Sequence, residues 1–168
     1  DDERRSRYLT TVREAADRGA ELTRQLLTFA RKKVIQPELV DLNRLLEHQV
    51  PFLRRLIGED ITCHLVPEEP LAGVMADVGG IEQVIMNLVV NARDAIGDRS
   101  GFITISTGIA RLDRGESADH AFVPDPEEGD YVYVEVADTG CGMSPETKVS
   151  IFDPFFTTKL GRGGSGLG

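Results

Sequence analysis

Apolar and polar positions recur along this chain with several different periods, and the changes of period mark its elements. From Asp1 to about Lys33, small and apolar residues at Leu9, Val12, Ala16, Gly19, Leu26 and Ala30 fall mostly three or four apart, with charges between them. This spacing predicts a helix with a narrow seam. With Thr23 and small residues in it, the seam suits close packing against other helices, either as half of a dimerising hairpin or folded onto the chain's own domain. Pro37 ends the element, because the residue before a proline is driven out of the α region. Glu38 to Leu42 is a short extended piece, and Asp41 or Asn43 is placed to cap a helix that begins near Leu42 and carries Leu45, Leu46, Val50 and Leu53. Pro51 within it predicts a kink or a break. Ile61, Cys63 and Leu65 alternate with polar residues up to Val66, the pattern of a half-buried strand.

After a turn punctuated by Pro67, Pro70 and Gly73, Asp77 is placed to cap a third helix, and Gly97 is a natural stop for it. Its central stretch, Gln83 to Asp94, puts two carboxamides, Asn87 and Asn91, one turn apart within an apolar segment. Val84, Ile85, Leu88, Val89 and Ala92 occupy the rest of the circumference, so the helix is expected to be mostly buried, with one polar stripe that Asp94 extends. A buried amide without partners costs roughly 1–3 kcal/mol, so the pair needs either bonds to neighbouring loops or a ligand. Phe102 to Thr107 alternates as a second strand. The charged stretch from Arg111 to Asp130, with Pro124, Pro126 and Gly129, predicts a surface loop, and Tyr131 to Ala137 is the strongest strand signal.

Composition narrows the function classes. A length of 168 residues suits one domain of ordinary size plus an appendage. The formal charge of -9 argues against non-specific nucleic-acid binding, which needs a basic field to displace counterions. No apolar run is long enough to cross a bilayer and no signal-peptide pattern is present, which fits a cytoplasmic setting, as does the use of only two cysteines. Cys63 reads as the inward residue of a strand and Cys141 lies between glycines, so a disulfide between them is not expected. His48, His64 and His120 read as solvated or capping residues, with no metal-ligand partner or nucleophile nearby in sequence.

The chemistry follows the last strand. Asp138-Thr-Gly-Cys-Gly142 sets a carboxylate at a strand end before two glycines that allow positive φ and close backbone approach. It reads as a plain turn or as a site where the acid accepts from an exocyclic amine beside a flat ring. Ile151 to Lys159 clusters three aromatics around Pro154, a packed turn followed by one cation. Gly161 to Gly168 holds five glycines in eight residues, a flexible linker or a backbone cradle for phosphates.

Taken in order, the paired asparagines, Asp138-Thr-Gly-Cys-Gly142, Phe152-Asp-Pro-Phe-Phe156 and Gly164-Ser-Gly-Leu-Gly168 resemble the N, G1, F and G2 boxes of sensor histidine kinases. Leu26-Leu-Thr-Phe-Ala-Arg31 resembles the end of the second helix of their dimerisation and phosphotransfer hairpin. The stretches from Asn87 to Ala95 and from Phe152 to Lys159 look most like hybrid kinases whose partner is a receiver domain.

The resemblance implies an α+β fold: a two-layer α/β sandwich of the Bergerat ATP-binding type, a mixed sheet with helices on one face, preceded by a long N-terminal helix. Residues 1–36 would be the partial hairpin helix and 37–168 the catalytic domain. It implies ATP and Mg²⁺ as cofactors, with Asn91 holding the metal and Asn87 supporting it as the catalytic amides. Asp138 would bond the adenine amino group, with Gly140, Gly142 and Met143 beside the ring. Asp94, Lys159, Gly164, Gly166, Leu167 and Gly168 would complete the nucleotide site. Related ATPases use an acid where Asn87 stands, and an amide is no general base, so the pattern favours phosphoryl transfer to a histidine and relay to a receiver aspartate over hydrolysis. The implied partners are a second copy through the hairpin and a response-regulator receiver.

Two departures stand out. Asp94 replaces the lysine or arginine that many members carry three residues after the second asparagine. Against the family pattern, the sequence also begins after the helix bearing the phosphoacceptor histidine, with none of its own histidines in a matching context, and stops where a phosphate-binding helix and further strands would follow. By itself it is expected not to autophosphorylate. The rival readings are an ATP-hydrolysing conformational switch and a nucleotide-binding or dimerising pseudokinase module.

Overall fold

The computed structural model describes residues 36–113, 127–153, 156 and 157. The predicted N-terminal seam helix, His120, Lys159 and the glycine-rich run at 161–168 lie outside the described residues. The chain divides into two compact units, Gln36–Ser144 and a second formed by 1–35 with 145–168. In the second, the described part is a short helix, Pro145–Ser150, and the turn after it, where Asp153 N donates to Ser150 O (2.9 Å) and Phe156 N to Asp153 O (3.0 Å).

Within Gln36–Ser144 the elements are β1 (Glu38–Val40), α1 (Leu42–Ile57), β2 (Ile61–Val66), β3 (Val74–Ala76), α2 (Val78–Ile96), β4 (Gly101–Leu112) and β5 (Gly129–Asp138). Both long helices begin at an aspartate. Asp41 Oδ1 accepts from Arg44 N (3.1 Å) and Asp77 Oδ1 from Gly80 N (2.7 Å), so each cap satisfies an amide that the first turn leaves without a partner. Asn43 does other work: its amide donates to Glu68 O (2.8 Å) and accepts from the buried Thr107 hydroxyl (2.7 Å), tying α1 to β4 and to the segment after β2. Gly97 ends α2 at φ 68°, its N–H closing the last turn on Arg93 O (2.9 Å).

Of the kink or break expected at Pro51, the break does not occur: α1 runs unbroken through it. Pro51 lacks the N–H that would reach the Glu47 carbonyl, but both residues are exposed, while Val50 and Leu53 on either side are buried in the core and hold the two halves together.

β2, β4 and β5 form a mixed sheet in that order, with β2 parallel to β4 and β4 antiparallel to β5. A parallel pair needs a crossover, and α2 supplies it. Helical spacing puts Leu46, Val50, Leu53 and Ile57 of α1 and Ile85, Val89, Ala92 and Ile96 of α2 into one core with Ile61, Cys63, Ile103 and Ile105 of the sheet. The result is the expected two-layer α+β arrangement, helices on one sheet face. On the other face the His64 ring stacks on Phe102, centroids 5.8 Å apart. Cys63 is buried and Cys141 exposed, both as free thiols, and burial pushes the Cys63 thiol up against the opposing pull of Arg54.

Two strand segments go beyond the sequence reading. Val74–Ala76, between the expected turn and the helix cap, is β3, paired antiparallel with β1. The stretch from 111 to 130, expected as loop, gives its ends to the sheet: Arg111 pairs with Asp130 and Leu112 with Gly129. Arg111 lies 3.6 Å from Asp130 and 3.5 Å from Glu128. Charges that read as a solvated loop thus face one another across a ladder, where opposite charge is favourable. No helix among the described residues is long and apolar enough to cross a membrane.

Candidate nucleotide site

The site lies where the end of β5, the start of β4 and the last turn of α2 converge. α2 has two distinct sides. One is the buried stripe Ile85, Val89, Ala92 and Ile96; the other carries Val84, Leu88 and Asn91, each one residue before a buried one, together with Asn87. Val84 and Leu88, expected to be buried, are 57% and 42% exposed. The covered arc is therefore narrower than the apolar pattern suggests, because α1 and the sheet meet α2 from one side only.

The two asparagines differ. Asn87, half-buried, accepts at Oδ1 from Gln83 Nε2 at 2.8 Å, so this bond uses its oxygen and not its amino group. Asn91 is exposed and makes no hydrogen bond among the described residues. Its amide oxygen is the open oxygen donor on this stripe. Among the described residues no group of three or more His, Cys, Asp or Glu side chains forms a cage for a metal ion. An exposed amide oxygen such as that of Asn91 fits a hard cation that takes one or two protein oxygens and shares the rest of its shell with phosphate and water, which is how Mg²⁺ is commonly held.

Arg93, two positions on from Asn91, is held by its neighbours. Its Nε and Nη2 donate to Asp94 Oδ1 (3.1 and 2.8 Å) and its Nη1 to Leu56 O on α1 (3.5 Å). The cation of this helix turn is thus engaged with Asp94 and the α1 backbone.

The loop after β5 is pinned to α2. Asp138 Oδ1 accepts from Gly140 N (2.7 Å), and Cys141 N donates to Ala95 O (3.0 Å). The two glycines do different work. Gly142 has φ 68°, a region side chains rarely adopt. A Cβ on Gly140 would stand 2.6 Å from Ala95 Cβ, so only glycine lets the loop backbone lie against the helix. Asp138, Gly142 and Met143 are exposed around it. With Oδ1 held by the Gly140 amide, the outer carboxylate oxygen of Asp138 is the acceptor presented beside a glycine-lined surface.

Asn87, Asn91 and Asp94 are thus on one helix, and Asp138, Gly140, Gly142 and Met143 on the loop tied to its end. Lys159, Gly164, Gly166, Leu167 and Gly168 fall outside the described residues. Two participants escaped the sequence reading: Gln83, whose four-residue spacing from Asn87 was available as a signal, and the Ala95 carbonyl, for which no local signal exists.

This architecture, a mixed sheet backed by two helices with an Asp-x-Gly-x-Gly loop on the end of the amide-bearing helix, defines a class. A family described as histidine kinase-, DNA gyrase B- and HSP90-like ATPase matches residues 76–168, and the chain belongs to that family. Within it, the chain is similar to Sensor kinase CckA of Brucella abortus (41% identical over 160 residues, 95% of this chain and 16% of that protein). It is also similar to Sensor histidine kinase ZraS of Klebsiella oxytoca (33% identical, 95% of this chain and 30% of that protein). The chain therefore spans less than a third of these relatives. Among solved structures, full-length ShkA in complex with AMPPNP superposes with a TM-score of 0.67 at 26% identity, covering 95% of this chain and 31% of that one. The catalytic domain of histidine kinase ThkA superposes at 0.57 with 31% identity, covering 79% and 74%; a complex of ThkA with the response regulator TrrA gives 0.62 at 25% identity, covering 90% and 40%.

Proposed function

We propose that this chain is the ATP-binding catalytic part of a sensor histidine kinase, and that the intact protein transfers the γ-phosphoryl group of MgATP to a histidine outside this sequence for relay to a receiver aspartate. The observation that carries the reading is the Asp138 loop, closed on its own carboxylate and pinned to Ala95 at the end of the helix that bears Asn87 and Asn91.

Each residue has a role its chemistry allows. The outer oxygen of Asp138 accepts from the adenine amino group, while Gly140, Gly142 and Met143 border the ring. Asn91 would hold Mg²⁺ through its amide oxygen, and the bound ion supplies charge neutralisation on the phosphates. Asn87, its oxygen engaged by Gln83, offers N–H groups to phosphate or metal-bound water. Asp94 borders this end of the stripe, and Lys159, Gly164, Gly166, Leu167 and Gly168 would complete the nucleotide site, as the family resemblance implies. An amide at Asn87 cannot take a proton from water, which supports transfer over hydrolysis. Residues 1–36 would be the second helix of the dimerisation hairpin and 37–168 the catalytic domain. A homodimer through that hairpin, a receiver domain as partner and a cytoplasmic location complete the reading; the solved kinase–regulator complex of ThkA supports the receiver.

Base specificity tests it. An ionised carboxylate only accepts, so it bonds the amino group of adenine and meets an acceptor where guanine carries its carbonyl. In the intact protein ATP is expected to bind well ahead of GTP, and Asp138→Ala to weaken ATP by about 2 kcal/mol and erase most of the preference, as for losing a hydrogen bond to a charged group. Equal binding of the two nucleotides by the wild type, measured by titration, would sink the assignment.

A further inference from the structure

We propose that Thr139 is a positioning residue whose hydroxyl ends the β4–β5 ladder and thereby sets the Asp138 carboxylate for the base; this rests on the nucleotide reading above. The register pairs Ile103 with Asp138, which puts Thr139 opposite Phe102. In a continuing antiparallel ladder, residues so placed exchange two backbone bonds, each N–H meeting the other's carbonyl. Only the first is made: Thr139 N donates to Phe102 O at 3.2 Å. The second is replaced, since Phe102 N–H donates to the Thr139 side-chain oxygen at 3.0 Å.

The hydroxyl therefore stands in for the Thr139 carbonyl. The ladder stays satisfied at its last rung while the main chain is released from the sheet one residue after Asp138. That release lets Gly140 fold back to donate to Asp138 Oδ1 and lets Cys141 reach Ala95 O. A residue without a β-oxygen would either strand the Phe102 N–H or draw the Thr139 carbonyl into the sheet and carry the loop past α2.

Gly101 makes room for the device. A Cβ there would lie 2.8 Å from Thr139 Oγ1 and 2.9 Å from Ile96 Cγ2, so the hydroxyl occupies the space that a side chain at the start of β4 would need. Three observations thus converge on one oxygen atom: the missing backbone rung, its substitution by the hydroxyl, and the clearance at Gly101.

The test uses ATP and GTP titrations and thermal melts of the intact protein as wild type, Thr139→Val, Thr139→Ser and Asp138→Ala. Valine keeps the shape and removes the acceptor; serine restores it. Thr139→Val is expected to weaken ATP about tenfold and GTP little, so that the base preference collapses, while Thr139→Ser stays within about twofold of wild type. Loss of preference in Asp138→Ala with full preference in Thr139→Val overturns the positioning role and leaves the nucleotide reading standing. Full preference in Asp138→Ala, or none in the wild type, overturns both. If the valine variant does not fold, hydrogen exchange of the wild type decides: ATP is expected to slow exchange at the Phe102 amide, and an unchanged rate overturns the proposal.

Discussion

The two sides of α2 are built from similar residues and put to opposite uses. Ile85, Val89, Ala92 and Ile96 are at most 3% exposed and form the centre of the core, whereas Val84 and Leu88, one residue earlier in the same rhythm, stay open beside Asn87 and Asn91. The aliphatic residues alone do not separate the stripes, since Val84 and Leu88 are as apolar as Ile85 and Val89. What separates them is cover: α1 and the sheet close over one side, and the other keeps its amides accessible at the end where the Asp138 loop is fastened. A helix that is apolar nearly all round can thus hold a core with one side and present polar chemistry on the other, because burial depends on what packs against it.

Substitutions on the two sides sharpen this contrast. The largest expected effect is on the covered side: Ile85→Ala removes a side chain that is 1% exposed and should cost about 2–5 kcal/mol in a urea unfolding experiment. Next is the point where the site touches the helix. Gly140→Ala forces a Cβ to within 2.6 Å of Ala95 Cβ and 2.7 Å of its backbone carbonyl carbon, and should cost about 1–3 kcal/mol while also weakening ATP, since the loop must lift from α2. The smallest belongs to the open side: Val84→Ala should change stability by no more than about 0.5 kcal/mol. A loss at Val84 comparable to that at Ile85 would show that both stripes are covered in solution and that the contrast is false.

Much of this could be read from the chain. The Asp77 cap, the glycine stop at Gly97 and the inward residues of β2 were legible, and Asp41 was one of two cap candidates; the paired amides fall on one helix and the carboxylate with its glycines at a strand end, as their spacing suggested. The separate duties of the glycines were not legible. Spacing marks Gly140 and Gly142 alike as permissive, yet only Gly142 uses a positive φ, while Gly140 is required by the approach of Ala95, 45 residues earlier.

What the sequence determined by itself is local. Caps, periodicity and turn chemistry act through bonds and contacts within about one helical turn or a few strand residues, so residue order specifies them directly. What only the tertiary structure decided depends on partners far along the chain. β3 has three residues and is a strand because β1 lies beside it; Arg111 and Asp130 extend a ladder because the register already fixed by residues 103–110 and 131–138 brings them opposite each other. Pro51 is carried inside a helix because the core holds both of its flanks, and the Thr139 hydroxyl acts as a ladder acceptor because Phe102 arrives there with an N–H to place. In each case the deciding energy comes from desolvating or pairing groups that meet only once the sheet and helices are packed, and no window of sequence contains both members of the pair.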